Sequence, residues 1–230
     1  MKNHAQFSVL WTGDGSPSLR GENEPMHHLG GAYAETQYIY GEALRCLAEW
    51  KDLSTWNVLV VGLGLGYIEL LAVAEAIKNK KKIHILTYEI ERDLVELFLS
   101  WLKGEAENIV YDRILDFFKS TYTDLDLKNE LLKIYSHGEW EIRGALNSSS
   151  LPLQNFHAIL FDAFSGKTTP DLWTEEFLMK FILNSAQSSP SIFSTYACTG
   201  VLKRVLKNSG FKVEKRNGFL GKRNSTLAVK

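Results

Sequence analysis

Residues 56–67 read WNVLVVGLGLGY. A short run rich in β-branched side chains leads straight into three alternating glycines, and Tyr67 follows. Such a run suits a strand buried on both faces, the kind that parallel sheets contain. Glycines placed between a buried strand and a helix let a ligand come close to the backbone. The spacing of Gly62, Gly64 and Gly66 is GxGxG. A dinucleotide fingerprint needs its third glycine at position 67, where it permits close helix–strand packing. Tyr67 stands there instead. The loop therefore favours a nucleoside cofactor without a pyrophosphate.

Outward from the loop, the pattern alternates. A helix is predicted over residues 67–78 and a strand over 82–88, ending at Glu89. Residues 92–137 read as helices, with Leu94, Leu97, Phe98, Trp101 and Leu102 at helical spacing. Further strands are expected at 140–142, 156–161 and 191–197, and helices at 174–186 and 200–208. Strands alternating with helices argue for a parallel sheet covered on both faces. The end breaks the alternation. Strands at 211–216 and 226–229 flank the short loop GFLGKRNS, so they must run antiparallel. The expected fold class is α/β: a Rossmann-like, doubly wound sheet with a C-terminal antiparallel hairpin, the class I methyltransferase architecture. Before it, residues 1–50 form a small N-terminal β/α appendage packed on the cleft. FSVLW alternates like a strand, TGDGSPS is turn chemistry, and residues 34–50 read as a helix with Ile39, Ala43, Leu44, Leu47 and Ala48 on one face. Residues 51–230 form the main domain, and the role of the helical insert at 92–137 is open.

Two acids sit where this architecture binds ligands, outside the carboxyl ends of the strands. Glu89 ends the second strand of the sheet, where a carboxylate can accept both ribose hydroxyl hydrogens. Together with the glycine spacing, this points first to S-adenosylmethionine. Asp162 ends the strand in HAILFD and is followed by the loop AFSGKTTPDLW. It lies far from the next helix, expected near Pro170 or Asp171, so it is poorly placed as a helix cap. It would instead face the sulfonium end of the cofactor and the acceptor.

The chain has 230 residues, enough for one sizeable domain with an appendage. No apolar stretch is long enough to span a bilayer, and MKNHAQFSVLW carries no signal-peptide core, so a cytoplasmic protein is expected. Cys46 and Cys198 lie far apart and read as buried reduced thiols. Adjacent His27 and His28 point in different directions with no partner cluster, which argues against a metal. The net charge of −1 hides an asymmetry. Lys203, Arg204, Lys207, Lys212, Lys215, Arg216, Lys222 and Arg223 face the single acid Glu214. Such a patch fits either a polyanionic partner or a solvated surface.

Three stretches together carry a resemblance: FDAFSGKTTPDLWTEEFL, STYACTGVLKRVLKNSGFKVEKRNGFLGKRN, and TGDGSPSL with EPMHHLGGAYAETQYIY. They resemble the methyltransferase half of the MnmC tRNA-modification family, including its single-domain forms, over nearly the whole chain. The resemblance implies S-adenosylmethionine-dependent N-methylation of the aminomethyl group of 5-aminomethyl-2-thiouridine at the tRNA wobble position. It implies tRNA as partner, with an oxidase or other enzyme supplying the amine, and neither metal nor membrane. It places the cofactor against Glu35, the Gly62–Gly66 loop, Glu89 and Gly144-Ala145, and puts Asp162 at the methyl-transfer end. Lys222 and Arg223 match a segment suited to tRNA contact. Two positions depart from the family pattern. Ala145 stands where an acid usually helps hold adenine, leaving backbone groups and Asn147 for that task, and Gly166 replaces a proline after DAFS.

For an amine to attack it must be neutral, so Asp162 is the candidate to orient it and take its proton. Phe164, Trp173 and Tyr196 are candidates to stack on the uracil, though each aromatic suits the core equally well. Three alternatives stay open: an aminopropyltransferase, with a more acidic pocket; a nicotinamide oxidoreductase, opposed by Tyr67; and a non-catalytic RNA-binding relative.

Overall fold

The computed structural model describes residues 7–21, 24–187, 190–221 and 224–230. Among these, a β1 (Ser8–Trp11) and β2 (Pro17–Arg20) hairpin stands apart from one larger sheet. The sheet contains β3 (Thr55–Val61), β4 (Lys82–Tyr88), β5 (Trp140–Arg143), β6 (Ala158–Phe161), β7 (Ile192–Thr195), β8 (Lys212–Arg216) and β9 (Ser225–Val229). Their order is β5-β4-β3-β6-β7-β9-β8. β3 pairs in parallel with both β4 and β6, so the glycine loop leaves the middle of the sheet. β9 runs antiparallel between β7 and β8. This is the class I methyltransferase arrangement, with the predicted terminal hairpin.

The β-branched run is buried because helices cover both faces. Val58 and Val60 point into one core cluster, and Leu59 and Val61 into the other. The first cluster packs under α3 (Tyr67–Lys78), α4 (Arg92–Leu102), α5 (Ile109–Thr121) and α6 (Leu127–Ser136). The second lies under α7 (Glu175–Ser185) and α8 (Gly200–Asn208). The helix expected at 34–50 begins earlier and is interrupted. It runs as α1 (Ala32–Thr36), a π-helical turn (Gln37–Gly41) and α2 (Glu42–Ala48). The predicted inward face, Ile39, Ala43, Leu44, Leu47 and Ala48, is buried. Phe156 leaves its expected strand, since its N–H bonds the Ser185 carbonyl. The helix expected near Pro170 is a 3-10 turn over Pro170–Trp173, and Thr174 caps α7 by accepting the Phe177 N–H.

The TGDGS turn does more than reverse the chain. Gly31, at the start of α1, offers no side-chain cap. The hairpin turn supplies one from a distance. Ser16 Oγ accepts the Ala32 and Tyr33 N–H groups at 3.0 Å, and Asp14 Oδ2 accepts that of Ala34 at 3.1 Å. An anion at a helix N-terminus also meets the positive end of the helix dipole. Burial raises the Asp14 pKa, but hydrogen bonds from Ser16, Thr12 and Ala34 outweigh it and hold it below the usual value. A depressed carboxylate pKa stabilises above the unfolded value, and that stability is lost as pH falls through the folded value. Asp14→Ala is expected to lower stability by about 1 kcal/mol at neutral pH, the usual worth of such a cap. Urea melts should show the deficit shrink below pH 4; a deficit independent of pH would argue against the charge.

The basic patch is smaller than its sequence suggests. Arg216 is buried, with its guanidinium bonded to Ser225 Oγ, Ile39 O, Glu42 Oε2, Ser194 Oγ and Thr226 O. It is a structural rivet between the C-terminal strands and the N-terminal helix. Arg204 pairs with Glu175 through two hydrogen bonds. Lys222 and Arg223 lie outside the described residues. The thiols also differ from expectation, since Cys46 and Cys198 are half-buried. Among the described residues, no helix is long and apolar enough to cross a membrane.

Candidate active site

A cleft of about 430 Å³ opens at the carboxyl ends of β3, β4 and β6, a size ordinary for a small-molecule site. Gly62 and Gly64 line it, and the glycines have separate tasks. Gly62 has φ 95°, and a Cβ there would sit 2.9 Å from the Asp162 carbonyl oxygen. Gly62 thus lets the ends of β3 and β6 close together. Gly66 does not line the cleft. A Cβ on it would come 2.1 Å from the Phe98 ring, so this glycine seats α4 of the insert. Tyr67 is buried, donates to the Pro17 carbonyl at 2.8 Å and meets the His27 ring edge-on.

Glu89 stands where the sequence puts it, but it is already engaged. Its Oε2 accepts the Leu63 and Gly64 N–H groups at 2.9 and 3.1 Å, and its Oε1 accepts that of Glu91 at 2.8 Å. A carboxylate has about four acceptor positions. The carboxylate therefore braces the glycine loop, and among the described residues it has one acceptor position left, on Oε1, where two ribose hydroxyls would need two.

Three segments far apart in sequence complete the walls. From the N-terminal appendage come Glu24, Met26, His27, His28 and Glu35. Glu35 is buried and accepts the His28 N–H at 2.6 Å. Glu24 escaped the sequence reading. Its Oε1 accepts the Ser165 N–H at 3.0 Å and the Thr168 hydroxyl at 2.8 Å, so it latches the appendage to the loop after Asp162. Among the described residues, the insert contributes nothing to the lining. It ties the appendage to α3 instead, through Tyr33 against Phe117 and Phe118 and through Tyr122 bonded to Glu75.

Near the β4 and β5 ends, the wall is apolar: Ile90, 67% exposed, faces the same cleft as Ala145 and Leu146. Gly144 is not part of the lining. Asn147 is not available for adenine. Its amide bonds the Ala145 carbonyl and its side-chain oxygen accepts the Ser149 N–H, both within its own turn. An adenine here would rest on apolar walls and backbone groups.

At the other end lies Asp162. Its N–H bonds the Val61 carbonyl, which continues the β3–β6 ladder. The Tyr40 hydroxyl donates to its Oδ1 at 2.5 Å. Phe164 and Tyr196 line the cleft beside it, and Tyr196 donates to the Ala163 carbonyl at 2.9 Å. Burial, then the charges of Asp162, Glu24 and Glu35, raise the Tyr196 pKa. Trp173 is elsewhere. Its indole N–H bonds the Phe164 carbonyl at 2.8 Å and its ring packs edge-on against Phe161. It supports the loop, and a Cβ added at Gly166 would meet it at 3.6 Å, an ordinary contact distance.

A glycine loop braced by one acid, with a second acid across the cleft at a parallel strand end, defines a class I methyltransferase. Residues 117–230 match a family described as S-adenosyl-L-methionine-dependent methyltransferase. The bifunctional tRNA 5-methylaminomethyl-2-thiouridine biosynthesis protein MnmC of Aromatoleum aromaticum is 23% identical over 94% of this chain and 34% of its own length. An uncharacterised protein of Methanocaldococcus jannaschii is 25% identical over 96% of this chain and 59% of its own. The crystal structure of MnmC2 from Aquifex aeolicus superposes with a TM-score of 0.72 at 23% identity, over 99% of this chain and 71% of that one. The chain belongs to the MnmC-like methyltransferase family, and its methyl donor is S-adenosylmethionine. It spans about a third of the length of the bifunctional relative.

Proposed function

We propose that this methyltransferase N-methylates the aminomethyl group of 5-aminomethyluridine or its 2-thio form at the tRNA wobble position. The observation that carries the proposal is Asp162, set in the same cleft as the glycine loop and flanked by Phe164 and Tyr196. The methylaminomethyl nucleoside in the name of the MnmC relatives, which is the product such a step would give, supports it. When bound, S-adenosylmethionine supplies an electrophilic methyl group. Gly62, Gly64, Glu89 and Glu35 hold it from one side, with Ile90, Ala145 and Leu146 as an apolar seat. Asp162 orients the acceptor amine and accepts the proton it sheds, and alignment of the reacting atoms supplies most of the rate. Phe164 and Tyr196 face the base, and Trp173 acts through Phe164. Lys222 and Arg223 contact the tRNA, and a separate enzyme generates the free amine.

Among the described residues four carboxylates line the cleft, which is also what an aminopropyltransferase would show. Glu24, Glu35 and Glu89 each accept backbone N–H groups of the cleft's own loops, which supports a bracing role for them, and the proposal gives the chemistry to Asp162, at the strand end beside Phe164 and Tyr196. The test is an anticodon stem-loop carrying 5-aminomethyl-2-thiouridine, incubated with S-adenosylmethionine. Mass spectrometry should find one added methyl on that nucleoside and none on the unmodified uridine. Binding of S-adenosylmethionine without methylation would refute this substrate, and aminopropyl transfer from decarboxylated S-adenosylmethionine would replace the proposal.

A further inference from the structure

The Tyr40 hydroxyl is a buried group at the reaction end of the cleft that the proposed chemistry has not used. Its side chain is 2% exposed, and it comes from the N-terminal helix, 122 positions before Asp162. We infer that Tyr40 is a positioning residue for methyl transfer: its hydroxyl fixes the orientation of the Asp162 carboxylate and keeps that carboxylate ionised. The inference rests on the proposed role of Asp162.

The fold is built to aim this hydroxyl. Tyr40 lies within the π-helical turn Gln37–Gly41. Such a turn adds a residue to the helix and rotates the next residues by roughly 100° relative to an unbroken helix. The turn is held from outside. The Ile39 carbonyl accepts Ser194 Oγ at 2.7 Å and Arg216 Nη1 at 3.2 Å, and Arg216 also bonds Glu42 at 3.0 Å. Side chains that reach into a helical ladder are a recognised cause of such distortions. The C-terminal strands thereby brace the helix where it presents Tyr40 to β6.

The electrostatics fit a permanent donor. Burial, then the negative charge of Asp162, raise the Tyr40 pKa well above its ordinary value. The hydroxyl therefore keeps its proton at any working pH. A hydrogen bond donated to the charged form of an acid favours that form. Among the described residues, Tyr196 and Glu35 are the other titratable groups that act on Tyr40, Glu69 feels the charge of Asp162, and Glu24 acts on Tyr196. Tyr196 grips the Ala163 carbonyl, so in this arrangement it steadies backbone.

Tyr40→Phe keeps the ring and removes only the donor. Its Asp162 titration can be followed by carbon NMR of labelled aspartate, assigned with Asp162→Asn. The midpoint is expected to rise by about one pH unit or more. With the aminomethyl stem-loop, kcat should fall about tenfold, and the acid limb of its pH profile should move up by the same interval. Calorimetric affinity for S-adenosylmethionine should not change, which also reports that the variant folds. An unchanged midpoint overturns the inference even if turnover falls, because the loss would then be structural. An unchanged midpoint with unchanged turnover overturns it as well. If the wild-type chain does not methylate the stem-loop, the substrate proposal fails on its own. The titration then decides the positioning role without any substrate.

Discussion

Asp162→Asn is expected to lower methyl transfer by about 10²- to 10⁴-fold, the range for loss of a positioned general base. Affinity for S-adenosylmethionine should stay nearly unchanged. Asparagine isolates the charge. It can still accept the Tyr40 hydroxyl through its side-chain oxygen, whereas alanine would leave that hydroxyl buried and unpaired. The backbone at 162 should also stay in place, because its N–H belongs to the ladder with Val61 and Gly62 leaves room for its carbonyl. What asparagine cannot do is take a proton from an alkylammonium group, which is protonated at neutral pH. Raising the pH should therefore rescue part of the lost rate, since the amine then arrives neutral. Single-turnover rates on the aminomethyl stem-loop from pH 7 to 9.5 measure this. Wild-type turnover in Asp162→Asn would exclude a proton-accepting role.

Glu69→Gln should make the protein more stable than wild type in alkaline solution, by roughly 5 kcal/mol above pH 8. Glu69 lies in the first turn of α3 and is wholly buried. Its Oε1 accepts the Thr87 hydroxyl at 2.8 Å, Thr87 in turn accepts the Trp140 indole N–H, and its Oε2 has no hydrogen-bond partner among the described residues. Desolvation is the main cause that pushes its pKa up to about 8, aided by the charges of Glu89 and Asp162 and opposed by the Thr87 bond. The folded chain thus holds this proton more tightly than the unfolded chain. Below pH 4.5 both states carry it and nothing is lost. Between pH 4.5 and 8 the unfolded state sheds it first, and stability falls by about 1.4 kcal/mol per pH unit from this group. Above pH 8 the full amount is lost. Glutamine carries no charge to bury and preserves the acceptor for Thr87. Urea unfolding of both proteins at several pH values between 5 and 9 should show curves that meet at the acid end and diverge upward. Parallel curves would mean that Glu69 is already solvated.

Much of this design is written locally. The strand–glycine–helix passage at residues 56–67 reads directly because period, composition and backbone freedom are properties of neighbouring residues. The same holds for Glu89 and Asp162, each placed by ending a recognisable apolar run. Sheet order was accessible only through resemblance, since nothing within 211–229 says that β9 enters between β7 and β8. Gly66 shows the boundary. Its need for glycine was legible, but its reason is Phe98, a contact with the insert rather than with a ligand.

The sequence alone determined the fold class, the loop, and the acids at the strand ends, because each depends on short-range pattern. Tertiary structure decided what those acids do and which charges remain outside. Tyr40 meets Asp162 across 122 residues, Glu24 reaches Ser165 across 141, and Arg216 turns inward to Ile39 across 177. Asn147 and Trp173 look like ligand contacts in the sequence, yet their polar groups bond within their own loops. A side chain's partner depends on which surfaces the folded layers press together. Local pattern carries no record of that, so a buried arginine and a solvated one are spelled alike.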